Sequence, residues 1–536
     1  MQMPVLTRIE PAQRMRILVG LGVFAGLLVV WRHALSLPPY WDGPIGAFAE
    51  AIWLKANHFD YMRLVHKELR CHFGGPAVYI WSIVPTIYAL LYKAFRPQTV
   101  FVLLHIFNLA LGGAIAAMLY GLLTEQLRTS GRLALLVVIS LCMQPMYAGQ
   151  LASITMSIPV AAAVFASGIA MIRGKYRRAG LLALLALFVK DAATLLCLVN
   201  LVYGLLLLAA GRERDKWRAI LLWTLLPLIV RFTINGYIFS FEKLDGGFNQ
   251  LNAFANPVYL RAQLVSCVPD FALGTVVVAV AAVVFAIPAF RSIPRTLAAL
   301  REMLDHMFDT LGPAFVHSVG MVVILLLFYV CAEIPVPRYF VWHAPFLAFS
   351  LTAVLRRIKL DERWQARVVL ALCALFLLNA GGRFLPPVPE AWRRSGEMLE
   401  RSSEYMRDLR GQQMAAAYLE KHAGDRPVVT ILPMEQMLTL PELGYVTKPL
   451  NVYSAWVRPA TYCPLKPVSK LPPEQGRNAI VCYIPNCYDG VNNFSLQPRA
   501  QDQILFQHTL NGMPLQIYQA GRPETSGYPS EKGNEK

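Results

Sequence analysis

Charge is scarce in this chain: 15% of its 536 residues are Asp, Glu, Lys or Arg, where soluble domains carry roughly 25%. With 56% hydrophobic residues and a mean hydropathy of +0.44, a soluble globular protein is excluded. No Walker loop, no metalloprotease helix and no dinucleotide-binding glycine fingerprint occurs, so the chemistries those motifs serve lack their usual residues. No repeat with a period of roughly 20–50 residues recurs, which disfavours a solenoid or an obvious inverted-repeat transporter. Acids are scarcer than bases, 33 against 50, for a net charge of +17. Nine cysteines are present. Cys142, Cys197 and Cys373 fall in apolar runs and read as small core hydrophobes. Cys71, Cys463, Cys482 and Cys487 lie in polar segments, where a disulfide is permitted if those segments are extracytoplasmic.

What the chain has in abundance is apolar runs. Ile17–Trp31, Leu133–Ala148, Leu195–Ala210, Phe271–Phe290 and Met321–Val330 carry no charge and approach the roughly 20 residues that cross a bilayer. The cations sit mostly in short loops between runs, a pattern that sets membrane orientation and argues against a nucleic-acid partner. Arg8, Arg14 and Arg16 put the N-terminus in the cytoplasm. The run after them is too long for a signal-peptide core and lacks a clear small-residue cleavage site, so it reads as an uncleaved anchor. If residues 77–95 formed a full span, the clusters Arg173/Lys175/Arg177/Arg178 and Arg212/Arg214/Lys216/Arg218 would lie outside. Taken instead as an interfacial or re-entrant helix, which Pro76, Tyr79, Trp81, Pro85, Tyr88 and Tyr92 suit, residues 77–95 let five basic loops fall inside.

The predicted fold is therefore mainly α: a polytopic transmembrane helix bundle of about 11 spans over residues 1–385, with a first outer loop at 38–98. A C-terminal extracytoplasmic α/β domain follows at 386–520, combining a helical segment, Gly411–His422, with strand-like runs at Pro427–Leu432, Ala479–Ile484 and Leu515–Tyr518. The polar residues 521–536 are expected to be disordered. The first span is expected at 17–37 and another, unbroken, at 132–149. Residues 179–189 make a short span that turns at Lys190-Asp191, because opposite charges at mid-bilayer are expensive. A single long helix with a buried Lys190/Asp191 pair is the alternative.

Polar residues gather on the outer side. In Pro38-Pro39-Tyr40-Trp41-Asp42-Gly43 a carboxylate stands just past the first span. Asp42 there can take a proton from an acceptor hydroxyl, or cap the helix that begins near Pro44. Further on come Gly75-Pro76-Ala77-Val78-Tyr79-Ile80-Trp81, then Phe188-Val189-Lys190 closing an apolar stretch, then Pro337-Arg338-Tyr339-Phe340-Val341 before a late span. In this order the motifs resemble the C-type (GT-C) membrane glycosyltransferase superfamily. Within it the chain is most similar to the bacterial protein-mannosyltransferase and aminoarabinose-transferase group, over residues 1 to about 385.

That resemblance implies an inner-membrane enzyme transferring a sugar from a polyprenyl-phosphate donor to an extracytoplasmic acceptor, with inversion at the anomeric carbon. Asp42 matches the group's catalytic aspartate. Arg338 offers a guanidinium fork to the donor phosphate, or anchors the interface beneath Tyr339. Lys190 serves the phosphate likewise, or pairs with Asp191. His343 lies little more than a helical turn beyond Arg338, and with Tyr339 it lines the pocket or packs as a core histidine. The chain departs from the group at three places: Asp42-Gly43 replaces Asp-Glu, Gly74-Gly75-Pro76-Ala77 replaces Glu-Lys before Pro-Pro, and Thr155-Met156-Ser157 replaces a loop with an Asp. His66, Glu68 and His72 have spacings that can supply the missing groups or bind a divalent metal; they equally suit a hydrated surface. No other cofactor is expected. The rival classes are a transporter or flippase of lipid-linked sugars and a non-catalytic envelope scaffold. The outer clustering of candidate charges favours chemistry over passage, while the missing acids lend the scaffold some force.

Overall fold

A computed structural model describes residues 10–40, 46–61, 83–190, 193–239, 269–287, 296–331, 337–379, 403, 405–431, 433–455, 466–467, 471–476, 478–483, 496, 498, 500–510 and 513–519. Asp42, His66, Glu68, His72, Cys71, Cys463, Cys487, Asp191 and the tail 521–536 lie outside the described residues.

Helix α1 (Pro11–Val30) opens on a proline, whose missing N–H costs nothing in a first turn. It ends at Val30 in a 3-10 turn, Arg32–Ala34, earlier than the expected residue 37. Two short helices follow, α2 (Ala47–Ala56) packed on α3 (Ile83–Ala94). At 12 residues, α3 is about 18 Å long and too short to cross a bilayer unaided. Helix α4 (Pro97–Gln126) runs back along α1 over 30 residues. Where they cross, a Cβ on Gly113 would stand 2.7 Å from the Gly20 carbonyl oxygen, so the missing side chain sets the approach of the two backbones.

The expected span at 132–149 is two helices, α5 (Gly131–Met143) and α6 (Pro145–Leu151), bent by 73°. Pro145 causes the break: it lacks an N–H and pushes Gln144 out of the helical region, to φ −57° and ψ 124°. The Gln144 side chain caps the second helix, its Oε1 accepting from the Tyr147 N–H at 2.6 Å. Helix α7 (Ser157–Ile172) is followed by the pair α8 (Tyr176–Val189) and α9 (Thr194–Ala209). These are separate helices, since Lys190 is extended at φ −155° and ψ 132°; the single long helix is not formed. Helices α10 (Trp217–Phe239) and α11 (Pro269–Ala286) come next. Amphipathic α12 (Leu297–Leu311) then turns by 94° at Gly312, φ +79°, into α13 (Pro313–Cys331). A 3-10 turn, Pro337–Trp342, leads to α14 (Ala344–Arg357) and α15 (Glu362–Asn379).

Among the described residues three helices are long and apolar enough to cross a membrane alone, or five if each bent pair counts as one span. That is fewer than expected from the apolar runs, because several runs fold as helices of 14 to 16 residues.

The basic loops converge on one end of the bundle. Glu125 at the foot of α4 pairs with Arg16 and, at 2.6 Å, with Arg173. Arg356 donates to the Arg128 carbonyl at 3.2 Å, and Arg357 to the Thr310 carbonyl at 2.7 Å. Arg212 holds Asp305 at 2.5 Å and also Asp309. At the opposite end His105 Nε2 donates to the Leu37 carbonyl at 3.1 Å, and Asn108 to the Ser153 carbonyl at 2.7 Å. There the loop after α6 and the 3-10 turn meet.

The C-terminal domain joins that second end. Helix α16 (Tyr405–His422) covers a six-stranded sheet made of β1 (Val428–Thr430), β2 (Val452–Ser454), β3 (Lys466–Pro467), β4 (Ile480–Tyr483), β5 (Gln503–Leu510) and β6 (Met513–Gln519). Its order is β3-β2-β1-β4-β6-β5; the first four strands are parallel and the β4-β6-β5 part antiparallel. Alternation sorts the faces. Val428, Ile480, Cys482, Leu515 and Ile517 pack under Leu409, Ala415 and Leu419 of α16, while Val429, Tyr453, Val481 and Tyr518 form a second cluster. Cys482 is a buried free thiol. Helix α17 (Met434–Thr439) and the turn Pro441–Leu443 connect β1 to β2, and the chain just after that turn lies on the bundle. Tyr445 donates its hydroxyl to the Pro39 carbonyl at 2.8 Å, and Tyr92 of α3 donates to the Glu442 carbonyl at 3.1 Å. One apolar core runs without a break from the bundle into this domain.

Candidate functional site

Lys190 ends α8. Its N–H still bonds the Ala186 carbonyl at 2.9 Å, while its own carbonyl accepts from Ala193 at 3.1 Å, so the extended residue is fixed on both sides. The side chain is 7% exposed and its Nζ lies 5.9 Å from the centre of the Trp342 ring, a cation–π contact. Trp342 closes the six-residue 3-10 turn that also holds Arg338, itself 6% exposed. His343 follows at the head of α14, fully buried, its carbonyl accepting from Leu347 at 2.8 Å. Lys190 thus meets Trp342, and Arg338 and His343 lie in and just after the same turn. Tyr339 lies in the same turn; its side chain is outside the described atoms. Two cations buried at one end of an apolar bundle are costly unless anionic or dipolar groups meet them.

The turn carrying Arg338 packs on α6 and α7, next to a chain of neutral polar groups. Thr155 donates to Gln150 Oε1 at 2.8 Å, Ser153 to the Gln150 carbonyl at 3.1 Å, and Asn108 reaches the Ser153 carbonyl at 2.7 Å. Thr155-Met156-Ser157 therefore belongs to a loop closed by hydroxyl and amide bonds, with no carboxylate among its described residues.

Of the sequence-predicted site residues, Asp42, His66, Glu68 and His72 are outside the described set, and no cluster of three or more His, Cys, Asp or Glu placed to hold a metal occurs among the described residues. The segment leading to Asp42 is described. Pro39 is held by Tyr445, and the Tyr40 ring lies 5.3 Å from that of Tyr405 at the head of α16.

Three buried carboxylates at this end or in the adjoining domain escaped the sequence analysis. Glu50 on α2 is 4% exposed, Asp408 on the first turn of α16 2%, and Glu435 on α17 fully buried. A signal was available for two of them: Glu50 stands alone among apolar neighbours in Ala47–Leu54, and Glu435 has only Gln436 as polar company in Met434–Leu438. Burial pushes the Glu435 carboxyl up to about 7, partly offset by hydrogen bonds from Ser454 and Gln436. Glu420 on α16 moves the other way. Burial would raise it, but the Thr447 hydroxyl and N–H, each at 2.5 Å, and the Lys448 N–H at 3.3 Å hold it below the usual carboxylate range.

No family model matches this chain, and no curated protein does. Among solved structures it is similar to ArnT from Cupriavidus metallidurans bound to undecaprenyl phosphate, with 15% identity, a TM-score of 0.51, and coverage of 94% of this chain and 98% of that one. The apo state of the same protein aligns with a TM-score of 0.49 at 15% identity, over 93% and 98%. The first of these likenesses shows that the chain shares the ArnT fold over 94% of its length.

Proposed function

We propose that this protein is an integral membrane glycosyltransferase that moves a sugar from a polyprenyl-phosphate donor to an acceptor outside the cytoplasm. The observation that carries it is the burial of Lys190 and Arg338 beside Trp342, at the end of the bundle where the segment leading to Asp42 is clamped. The ArnT crystallised with undecaprenyl phosphate has the same fold, which supports a polyprenyl-phosphate partner.

In this mechanism the Asp42 carboxylate accepts the proton of the acceptor hydroxyl as its oxygen attacks the anomeric carbon. The carbon–oxygen bond to phosphate breaks on the opposite face, so the configuration inverts. The bonding electrons leave with the polyprenyl phosphate, and the Arg338 fork and the Lys190 ammonium neutralise its growing charge.

The same reading gives about 11 passes: α1, α4, bent α5–α6, α7 to α11, and α13 to α15 cross, while α2 and α3 lie at the outer boundary and α12 at the inner. The gathering of basic loops at one end supports a cytoplasmic face there, with the C-terminal domain periplasmic. Undecaprenyl phosphate binding tests the cation assignment. Arg338→Ala and Lys190→Ala should each weaken it by roughly tenfold or more, and Arg338→Lys should restore it in part. Wild-type affinity in both alanine variants would remove these cations from the donor site.

A further inference from the structure

Residues 153–157, which lead from α6 into α7, carry three hydroxyls. Two are used: Ser153 donates to the Gln150 carbonyl at 3.1 Å and Thr155 to Gln150 Oε1 at 2.8 Å. Asn108 of α4 donates to the Ser153 carbonyl at 2.7 Å and to the Thr155 carbonyl at 3.4 Å, which ties this loop to the bundle. The Ser157 hydroxyl is left over. The residue is 1% exposed, and its Oγ has no hydrogen-bond partner among the described residues. Buried polar atoms are nearly always partnered, and an exception calls for a bound group, a water or strain. Ser157 is also the first residue of α7, a 16-residue helix whose cap position, Met156, supplies no side-chain cap. First-turn N–H groups find no acceptor within their own helix. Pro159 has none to offer, so those of Ser157 and Ile158 stand beside the hydroxyl at the positive end of the helix dipole.

This end of α7 is level with Lys190. Ser167 of α7 donates to the Ala179 carbonyl of α8 at 2.8 Å. From that bond, residue 157 lies toward the outer end of α7 by about 15 Å and residue 190 toward the outer end of α8 by about 17 Å, at 1.5 Å per residue. The 3-10 turn bearing Arg338 packs on α7 as well, and its Trp342 ring centre is 5.9 Å from Lys190 Nζ. A hydroxyl, two amides, an ammonium and a guanidinium therefore stand on three adjoining elements. All of them donate hydrogen bonds, and an oxyanion is the ligand that takes such a set. A water would satisfy the hydroxyl alone.

Resting on the polyprenyl-phosphate reading, we propose that the head of α7 binds the phosphate of the sugar donor. The Ser157 hydroxyl and the N–H groups of Ser157 and Ile158 donate to its oxygens, alongside the Lys190 ammonium and the Arg338 guanidinium. The hydroxyl gives up no protein partner to do so, and no bond is made or broken at Ser157. The released polyprenyl phosphate carries the same oxygens and is held in the same way.

The test uses full-length protein in nanodiscs free of polyprenyl lipid: wild type, Ser157→Ala, Ser157→Thr, Ser157→Asp and Arg338→Ala. Undecaprenyl phosphate and inorganic phosphate are titrated separately, and thermal unfolding is followed with and without each. Ser157→Ala removes one hydrogen bond to a charged acceptor, so undecaprenyl phosphate should bind roughly tenfold more weakly. Ser157→Thr keeps the hydroxyl and should stay within about threefold of wild type. Ser157→Asp suits a first helical turn but sets a like charge against the phosphate, and should bind more weakly than Ser157→Ala. Without lipid, Ser157→Ala should melt no lower than wild type, because the lost hydroxyl had no protein partner. The stabilisation that undecaprenyl phosphate gives wild type should shrink in that variant, and inorganic phosphate should stabilise neither. Wild-type affinity in both Ser157→Ala and Ser157→Asp would overturn the assignment, as would a loss in Ser157→Ala matched by a lower melting point without lipid. A response to inorganic phosphate that Ser157→Ala abolishes would make this a site for the free anion and overturn it too. If Arg338→Ala weakens binding and Ser157→Ala does not, the α7 assignment alone fails; a wild type that binds no undecaprenyl phosphate sinks the polyprenyl-phosphate reading itself.

Discussion

Glu435 is a carboxyl with no exposed surface, held near neutrality by burial, and its pH linkage has a definite sign. Folded, it keeps its proton to about pH 7; unfolded, it loses it near 4.5. The folded state binds more protons across that window, so stability falls as pH rises through it and levels off above 7. The shift corresponds to about 3 kcal/mol. Thermal unfolding of the whole protein should be measured at pH 5 and pH 8: wild type should melt lower at pH 8, and Glu435→Gln should flatten most of that difference. Glu420, whose carboxyl is held low by Thr447 and Lys448, contributes in the other window, its stabilisation being lost only as pH falls below the ordinary carboxylate range. Lys190 and Arg338 were conspicuous in the sequence, each a charge beside an apolar run. Asp408 was not: it lies in a polar stretch of sequence, and its burial is created by strands and loops distant in the chain.

Helices in the bundle are joined by buried polar bonds as well as by packing. His317 of α13 donates from Nε2 to Asn200 Oδ1 on α9 at 2.8 Å. Asn200 donates to Ser167 of α7 at 3.2 Å, and Ser167 to the Ala179 carbonyl of α8 at 2.8 Å. Interhelical bonds of this kind are worth about 1 kcal/mol each in a membrane. Asn200→Leu removes both of its bonds and should cost roughly 1–2 kcal/mol in a detergent or denaturant titration; an unchanged midpoint would show the chain to be idle. At the α1–α4 crossing, Gly113→Leu should push the helices apart, because the new side chain meets the Gly20 carbonyl oxygen and the Phe24 Cβ. A disulfide engineered across that crossing would then form more slowly. The apolar runs made these helices legible, yet their ends were not. The first stops at Val30, and Pro145 breaks the run Leu133–Ala148, a local effect that hydropathy averages away. In the C-terminal domain the runs now seen as β1, β4 and β6 were visible because each lies in an apolar stretch, whereas β2, β3 and the polar-interrupted β5 have no comparable run.

The molecule as a whole has two unlike ends. One gathers the arginines of the basic loops around Glu125, Asp305 and Asp309. At the other lie buried Lys190 and Arg338, and there the segment before Asp42 meets the C-terminal domain. If the first end is cytoplasmic, labels at residues 175 and 214 should react from the inside and one at residue 500 from the outside; 175 and 500 labelling from the same side would break the membrane assignment. Basic clusters in the sequence made this polarity legible. The Pro39–Tyr445 bond was not, because its partners stand 406 positions apart in the chain. The central claim is glycosyl transfer by Asp42 at the second end, and its most direct measurement compares purified wild type with Asp42→Asn, each supplied with undecaprenyl-phosphate-linked sugars. Wild type should release undecaprenyl phosphate with transfer of the sugar, and Asp42→Asn should bind the lipid but be slower by about 100-fold or more. Equal rates in the two, or a wild type that binds undecaprenyl phosphate without any transfer, would contradict it.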